Sequence, residues 1–428
     1  MPRVAAVDLG ATSARVAVVD SARPDHVEVV HRYPHQPVVH SDGTLRWDWD
    51  RLVAEVELGL ARCLEAGPLD SIGVDTWGVD YGLVDAAGAL VAQPFSYRDT
   101  RTDGWRALAE RLGEKRLYAQ TGLQLMGINT LFQLAVHDRA ELARAEHLLL
   151  LPELLVHHLT GAITAEVTSA GTTGLVSLHT GTWDDELLDE IDVPRALLPA
   201  IASPGTRVGA WRDVPVHLVG GHDTASAVYA RPGGRGEHRA FVSTGTWVLV
   251  GTERDEPCTS RIARLANFSN ERSVGGGYRL LKNVTGLWLL ELCREQWQDA
   301  TTPELVALAT SARGGVVVNT DDPRLTATSN VPKAIAAMTE LDAEDRGGIV
   351  RCIFESIAAA TAGVIDQVGH VTGTPVTEVD LLGGGAQIPL LVDLIGRATG
   401  LPCSVGSPEA TALGNARAQM LATATKPA

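Results

Sequence analysis

"VAAVDLGATSARVAVVD", residues 4–20, decides the fold. It reads as a short apolar strand, a turn of small and hydroxyl residues, and a second β-branched strand, which is the pattern of a β-hairpin. A second stretch, "RAFVSTGTWVLVGTE" at 239–253, has the same layout around Ser243, Thr244, Gly245 and Thr246. A turn of this kind leaves backbone N–H groups free to point at an anion, and its glycine lets the backbone approach closely. One such turn is a common hairpin; two in equivalent places are better explained by a polyphosphate held between two lobes.

The sequence around the two hairpins extends the likeness. A strand at His26–Tyr33, an amphipathic helix near Asp50–Gly67 and the strand "SIGVDTWGVDYGLV" follow the first. Helices near Thr285–Trp297 and Asp345–Thr372, then "EVDLLGGG" and a final helix, follow the second. In the Asp345 helix Val350, Phe354, Ile357, Thr361, Val364 and Val368 recur every three or four residues and define one buried face. The reading is a duplicated α/β unit, with domains at 1–231 and 232–428 and a Pro/Gly-rich hinge in "YARPGGRGEHR" (229–239). In "VDLLGGGAQIPLL" (379–391) a strand runs into three glycines and then a helix, which suits either a tight turn or a ligand resting on bare backbone.

Composition narrows the function. With 428 residues the chain exceeds one ordinary core, and its net charge of −16 argues against nucleic acid as the main partner. No signal-peptide pattern and no bilayer-spanning apolar stretch stand out, so no membrane partner is expected. Five scattered cysteines without C-x-x-C spacing read as buried free thiols in a reducing cytoplasm. The P-loop, G-x-G-x-x-G, H-E-x-x-H and G-x-S-x-G patterns are all absent from the sequence.

"GGHDTASAVYA" (220–230) holds the densest cluster of reactive side chains. His217, His222 and Asp223 lack the spacing of a metal site, and Ser226 lies in a helix start rather than on an exposed elbow. Two readings of Asp223 remain: a base that accepts the proton of a substrate hydroxyl attacking a nucleotide γ-phosphorus, or a helix N-cap. Asp8, at the end of the first strand, would lie close to phosphates, where a carboxylate makes sense with Mg2+ between them. Asp75 and Asp80 flank Trp77, and either could hold a sugar hydroxyl or cap a turn. Trp47, Trp49, Trp288 and Trp297 read as core, and His157 and His158 as partly exposed structural residues. Arg98, Asp99 and Arg101 read as an ion-paired turn or as a substrate or closure element.

Taken together, "VDLGATSARV", "SIGVDTWGVDYGLVD", "YRDTRTDG", "LTGAITAEVTSAGTTGLV", "HDTASAV", "STGTW", "NERSVGGGYRLLKNVTGLWLLE", "LLGGGAQ" and "EATALGN" resemble the FGGY carbohydrate kinases. Within the family they are most similar to members that phosphorylate L-rhamnulose. The resemblance implies two ribonuclease-H-like lobes of the actin-like ATPase type, closing over sugar and ATP in an interlobe cleft. It implies transfer of the ATP γ-phosphate to the 1-hydroxyl of L-rhamnulose, in L-rhamnose catabolism. A kinase for another ketose, such as L-fuculose or L-xylulose, is the alternative enzyme, and a non-catalytic sugar or nucleotide sensor the alternative outside enzymes.

Residue by residue, the resemblance puts Asp223 on the catalytic base and Gly78, His222, Thr224 and Asn283 on sugar contacts. Ala11, Thr12, Ser13, Ala14 and Arg15 fall on the first phosphate turn, Thr246 on the second, and Gly384 near adenosine. Two departures stand out. Ala14 replaces a customary glycine, which is expected to restrict backbone approach to phosphate. Glu291 replaces a glutamine that contacts ATP, and a carboxylate there is expected to repel phosphate unless it faces away or binds metal. The chain also ends soon after "GNARAQMLA", where relatives continue.

Overall fold

Strands β1 (Arg3–Leu9) and β2 (Ser13–Asp20) form the first hairpin, antiparallel from Arg3 opposite Asp20 to Leu9 opposite Ala14. The computed structural model describes residues 2–326, 328 and 330–424. These fall into two compact units: residues up to Ala230 with Asp255–Tyr278 and the stretch from Thr411, and Arg231–Arg254 with Arg279–Ala410. The chain thus returns twice to the first unit after leaving it.

In the first unit β3 (Val27–Pro34) extends the hairpin, and helix α1 (Trp49–Glu65) covers it. Asp48 caps α1 by accepting from Arg51 N–H, and the buried positions Leu52, Val53, Val56, Leu60 and Cys63 form its apolar stripe. Gly59 lets α1 close on the sheet, since a Cβ there would lie 2.5 Å from a methyl of Val16. Strand β4 (Ser71–Thr76) joins β1 in parallel register, helix α2 (Leu151–Thr160) covers it, and β5 (Arg207–Trp211) and β6 (Val214–His217) complete the order β5-β6-β4-β1-β2-β3. Ala5, Val7, Leu9, Val16, Trp47, Leu60 and Ile72 make the centre of the core. After β6 the chain enters the short helix α3 (Asp223–Tyr229).

The second unit repeats the plan. Strands β7 (Arg239–Thr244) and β8 (Trp247–Arg254) form an antiparallel hairpin, and β9 (Tyr278–Thr285) continues from it. Helices α4 (Trp288–Gln296) and α5 (Arg346–Thr372) follow, then β10 (Glu378–Leu382), α6 (Pro389–Thr399) and β11 (Cys403–Val405). The strands run in the order β9-β8-β7-β10-β11, with β10 parallel to β7 and β11 parallel to β10. That matches β3-β2-β1-β4-β6, so the duplication read from two hairpins extends to strand order.

Three local expectations change. The helix expected from Thr285 starts at Trp288, because Thr285 ends a strand and gives both its N–H and its hydroxyl to Asp321 Oδ1, at 2.9 and 2.7 Å. Helix α5 is long and apolar enough to cross a membrane by length and composition, but 67% of its apolar window is buried, as in a core helix. Of the five cysteines, Cys63, Cys293 and Cys352 are buried, while Cys258 and Cys403 are half-buried.

Candidate active site

The first unit gathers carboxylates at the carboxyl ends of its parallel strands, the customary place for a ligand in an open α/β sheet. Asp8 of β1 and Asp75 of β4 are register partners. Asp8 is 1% exposed and pairs with Arg15 at 2.9 Å. Asp75 is fully buried; Asn415 donates to its Oδ2 at 2.6 Å, and its Oδ1 has no hydrogen-bond partner. Burial pushes the Asp75 carboxyl well above the usual range, the Asp8 charge adds to this, Asn415 opposes it, and Asp223 raises it further. Three carboxyl groups therefore influence one another here.

The end of β4 holds the segment that carries Asp223. Thr76 N–H donates to Gly221 C=O at 2.8 Å, and Thr76 and His222 form a parallel bridge. His222, not Asp223, occupies the N-cap position of α3, and its side chain makes no capping bond. That removes the N-cap reading of Asp223, whose Oδ1 accepts from the Thr224 hydroxyl at 3.1 Å and whose side chain is 26% exposed. Ser226 is buried and its hydroxyl donates to Gly220 C=O, so it is a structural residue of α3. His222 lies between Asp223 (Nε2 to Oδ1, 3.5 Å) and Glu271 (Nδ1 to Oε2, 3.4 Å). A Cβ on Gly78 would sit 3.1 Å from Thr172 Oγ1 and 3.4 Å from His222, so Gly78, Thr172 and His222 line one place.

Around Gly78 the backbone is strained. Val79 has φ of +70°, a region that β-branched residues rarely enter, and its C=O accepts from Thr130 Oγ1 at 2.7 Å. Asp80 closes this turn. Its Oδ2 accepts from the indole N–H of Trp47 at 2.7 Å, of Trp77 at 2.9 Å, and from Tyr97 N–H at 3.1 Å. Asp80 is thereby a structural acceptor rather than a sugar contact.

Of the five residues expected to form the first phosphate turn, only Ala11 and Thr12 lie outside the strands; Ser13, Ala14 and Arg15 belong to β2. Gly10 N–H donates to Ser13 C=O across the turn at 3.1 Å, and His35 N–H to Thr12 C=O at 3.1 Å. Ala14 is extended and buried, paired with Leu9, so its methyl points into the core and the expected restriction at the turn does not arise. Arg98 reaches the turn by donating from Nη2 to Ala11 C=O at 3.2 Å, whereas Asp99 caps a short 3-10 helix and Arg101 donates to Gln133 at 2.7 Å. These three residues form hydrogen bonds to neighbours rather than an ion-paired turn.

The second unit carries the other expected positions. Gly245 N–H donates to Trp247 C=O at 2.9 Å, and the start of α4 grips the same turn through Leu287 N–H to Gly245 C=O (3.0 Å) and Trp288 N–H to Thr246 C=O (3.1 Å). Gly383, with φ of +83°, lies so close to β7 that a Cβ would meet Thr244 C=O at 2.7 Å. Gly384 has open space where a side chain would be, as backbone against which a flat group could lie would need. Asn283 stands in β9 and is half-buried. Glu291 on α4 is 47% exposed and its carboxylate takes a 2.7 Å bond from Arg294, which neutralises the charge expected to repel phosphate.

The sequence reading assigned no role to Glu153, Glu166, Thr168, Thr172 or Glu271. All five are buried polar residues of the first unit. A glutamate inside the apolar run "LPELLVHHL" was the available signal.

The comparisons with known proteins bear on the same two units. The model of the N-terminal domain of the FGGY family of carbohydrate kinases matches residues 4–228, and that of the C-terminal domain residues 240–423. A rhamnulokinase of Enterobacter sp. is 38% identical over 434 residues, covering 97% of this chain and 88% of that protein. A rhamnulokinase of Pectobacterium atrosepticum is 38% identical over 443 residues, covering 98% and 88%. Among solved structures, xylulose kinase from Lactobacillus acidophilus superposes with a TM-score of 0.77 at 16% identity, over 100% of this chain and 91% of that one. Glycerol kinase from Plasmodium falciparum with ADP gives 0.76 at 14% identity, over 100% and 91%. These two likenesses speak for the fold, a two-domain α/β architecture of the actin-like ATPase type. The chain belongs to the FGGY family of carbohydrate kinases, phosphotransferases that move a phosphate from ATP to a sugar.

Proposed function

We propose that the chain is an ATP- and Mg2+-dependent kinase of L-rhamnulose that phosphorylates the 1-hydroxyl, serving L-rhamnose breakdown in the cytoplasm. The observation that carries this is the 37–38% identity, over 97–98% of the chain, to proteins named rhamnulokinase. Asp223 accepts the proton of the sugar hydroxyl as the new O–P bond forms, and the bond between the γ-phosphorus and the bridging oxygen breaks to release ADP. Its partly exposed carboxylate at the start of α3, beside His222 and Gly78, supports that role. Gly78, His222, Thr224 and Asn283 are the proposed sugar contacts. Ala11, Thr12, Ser13, Ala14 and Arg15 with Thr246 are the proposed phosphate contacts, Gly384 the one near adenosine and Glu291 a neighbour of ATP.

The donors at the strand ends fit a hydrated divalent cation. Asp8 and Asp75 are register partners, and Asp75 Oδ1 is a buried acceptor with no hydrogen-bond partner. Asp8 and Asp75 would hold Mg2+ through water, and the ion would supply charge neutralisation for the transferring phosphate. Arg15 already offsets part of the Asp8 charge.

A panel of ketoses, with ADP release as the readout, tests the reading. Strict preference for L-rhamnulose supports it, preference for L-fuculose or L-xylulose replaces the substrate, and binding without turnover makes the chain a sensor. Asp223→Asn is expected to lose turnover by about 1,000-fold or more while keeping its fold and ATP affinity. A variant retaining most of its turnover would overturn the base assignment.

A further inference from the structure

We propose that Glu166 is a positioning residue for the base: its buried oxygen Oε2 holds both Gly221 N–H and the Thr168 hydroxyl that holds His222, and so sets where Asp223 stands. The proposal rests on the reading of Asp223 as base. Glu166 is 1% exposed and sits 55 residues before Gly221 in the chain. Its Oε2 accepts from Gly221 N–H at 2.9 Å, Thr168 N–H at 2.9 Å, Ser169 N–H at 3.2 Å and the Thr168 hydroxyl. Thr168 Oγ1 in turn accepts from His222 N–H at 3.2 Å. The two residues immediately before Asp223 are thus tied, directly or through one hydroxyl, to a single carboxylate oxygen.

The opposite side of the segment is tied as well. Gly221 C=O accepts from Thr76 N–H at 2.8 Å, so the peptide units around Gly221 are held between β4 and Glu166. No side chain fits at Gly221: a Cβ would lie 2.3 Å from Ser169 Oγ, 3.1 Å from Glu166 Oε2 and 3.3 Å from Glu153 Oε1. Asp223 begins a helix of only 7 residues, too short to fix its own orientation without such anchoring.

A second glutamate supports the first. Glu153 Oε1 on α2 accepts from Glu166 N–H at 3.1 Å. Burial pushes the Glu153 carboxyl well above its usual range and the Glu166 charge adds to that, while the Glu166 N–H bond opposes it. Burial also pushes Glu166 up, opposed by the bonds from Thr168, Gly221 and Ser169. Four donors converging on one oxygen in so dry a place suit a residue that must hold a turn rather than react.

The test compares Glu166→Ala and Glu166→Gln with the parent, measuring kcat, the KM for ATP and the thermal midpoint on the best sugar of the panel. Glu166→Ala is expected to lower kcat by about 100-fold at an unchanged KM for ATP, with Glu166→Gln recovering part of the loss because its amide oxygen still accepts. A purely structural role would lower the thermal midpoint without this split. A folded Glu166→Ala that keeps kcat within about twofold overturns the proposal. Should Glu166→Ala fail to fold, Thr168→Val and Thr168→Ser decide it. Val is expected to lose several-fold in kcat and Ser to restore most of it; equal kcat in the two overturns the proposal. Asp223→Asn measured alongside separates the two ideas, because turnover surviving in that variant removes the base whatever Glu166 does.

Discussion

Acid should weaken the first unit through His35, and the size of the effect follows from two atoms. His35 Nε2 lies 2.8 Å from Gly10 C=O, which only accepts, so Nε2 carries the hydrogen. Nδ1 is buried with no hydrogen-bond partner, and a second proton would have to enter there. Burial lowers the imidazole from 6.5 to about 4, against the pull of the Gly10 carbonyl and with the Arg98 charge adding to the lowering. The sign follows directly. Above pH 6.5 neither folded nor unfolded chain protonates His35; below it the unfolded chain gains a proton that the folded one refuses until about pH 4, so stability falls with pH.

The full loss is about 3 kcal/mol, of which about 2 kcal/mol appears between pH 7 and pH 5. His35→Phe keeps a ring in contact with Trp47 and Trp77, whose centroids lie 5.4 and 5.5 Å away, but loses the bond to Gly10. It should therefore cost about 1 kcal/mol at pH 7 and yet be the more stable protein at pH 5. Urea unfolding followed by tryptophan fluorescence at both pH values measures this, since Trp47 and Trp77 are buried beside the ring. His137, also lowered to about 4 by burial, with Arg101 adding and Glu141 opposing, contributes equally to parent and variant and cancels. If the parent and His35→Phe lose the same stability between pH 7 and pH 5, the reasoning fails.

Two further outcomes can be measured alongside those for Asp223 and Glu166. Gly414→Ala would place a methyl 1.8 Å from Ser226 C=O in α3, so a loss of about 3 kcal/mol and a lower kcat are expected, by thermal melting and turnover; an unaltered melting point would contradict the packing. Glu291→Gln should change the KM for ATP by less than about twofold because Arg294 already neutralises the carboxylate, and a tenfold tightening would show that the charge faces phosphate.

Local signals in the sequence carried far. Both hairpins could be read because a hydroxyl-rich turn between β-branched runs has few other conformations, and α1 and α5 because their apolar positions recur at helical spacing. Strand order is a non-local property, legible only because two similar stretches implied one plan used twice. Position in a strand was not legible at Ala14: the side chain expected to crowd a phosphate faces the core, and only the pairing with Leu9 shows it. The same holds for Asp80, whose partners Trp47 and Tyr97 lie 33 and 17 residues away in the chain. Glu166 is the clearest case, since four of its hydrogen bonds meet on one oxygen and the one that matters for Asp223 spans 55 residues.

The buried carboxylates of the first unit divide by what surrounds them, and the division separates groups that hold structure from those the proposed function uses. Asp80 and Glu166 are ringed by donors that cannot leave: indoles and a backbone amide around one, backbone amides and a hydroxyl around the other. Such groups hold structure, and a cation would have to break several bonds to reach them. Asp8 and Asp75 differ in kind. Each has a charged or amide partner, Arg15 or Asn415, but they face each other in register, and Asp223 adds to the repulsion on Asp75. Such crowding, with burial, raises the Asp75 carboxyl, while Arg15 offsets the Asp8 charge. On the proposed function, a cation arriving with the nucleotide would offset that crowding, and Asp223 would take the proton of the sugar hydroxyl. The donor-ringed carboxylates keep the segment still, and the crowded ones are those to which the proposed function gives the work of receiving charge.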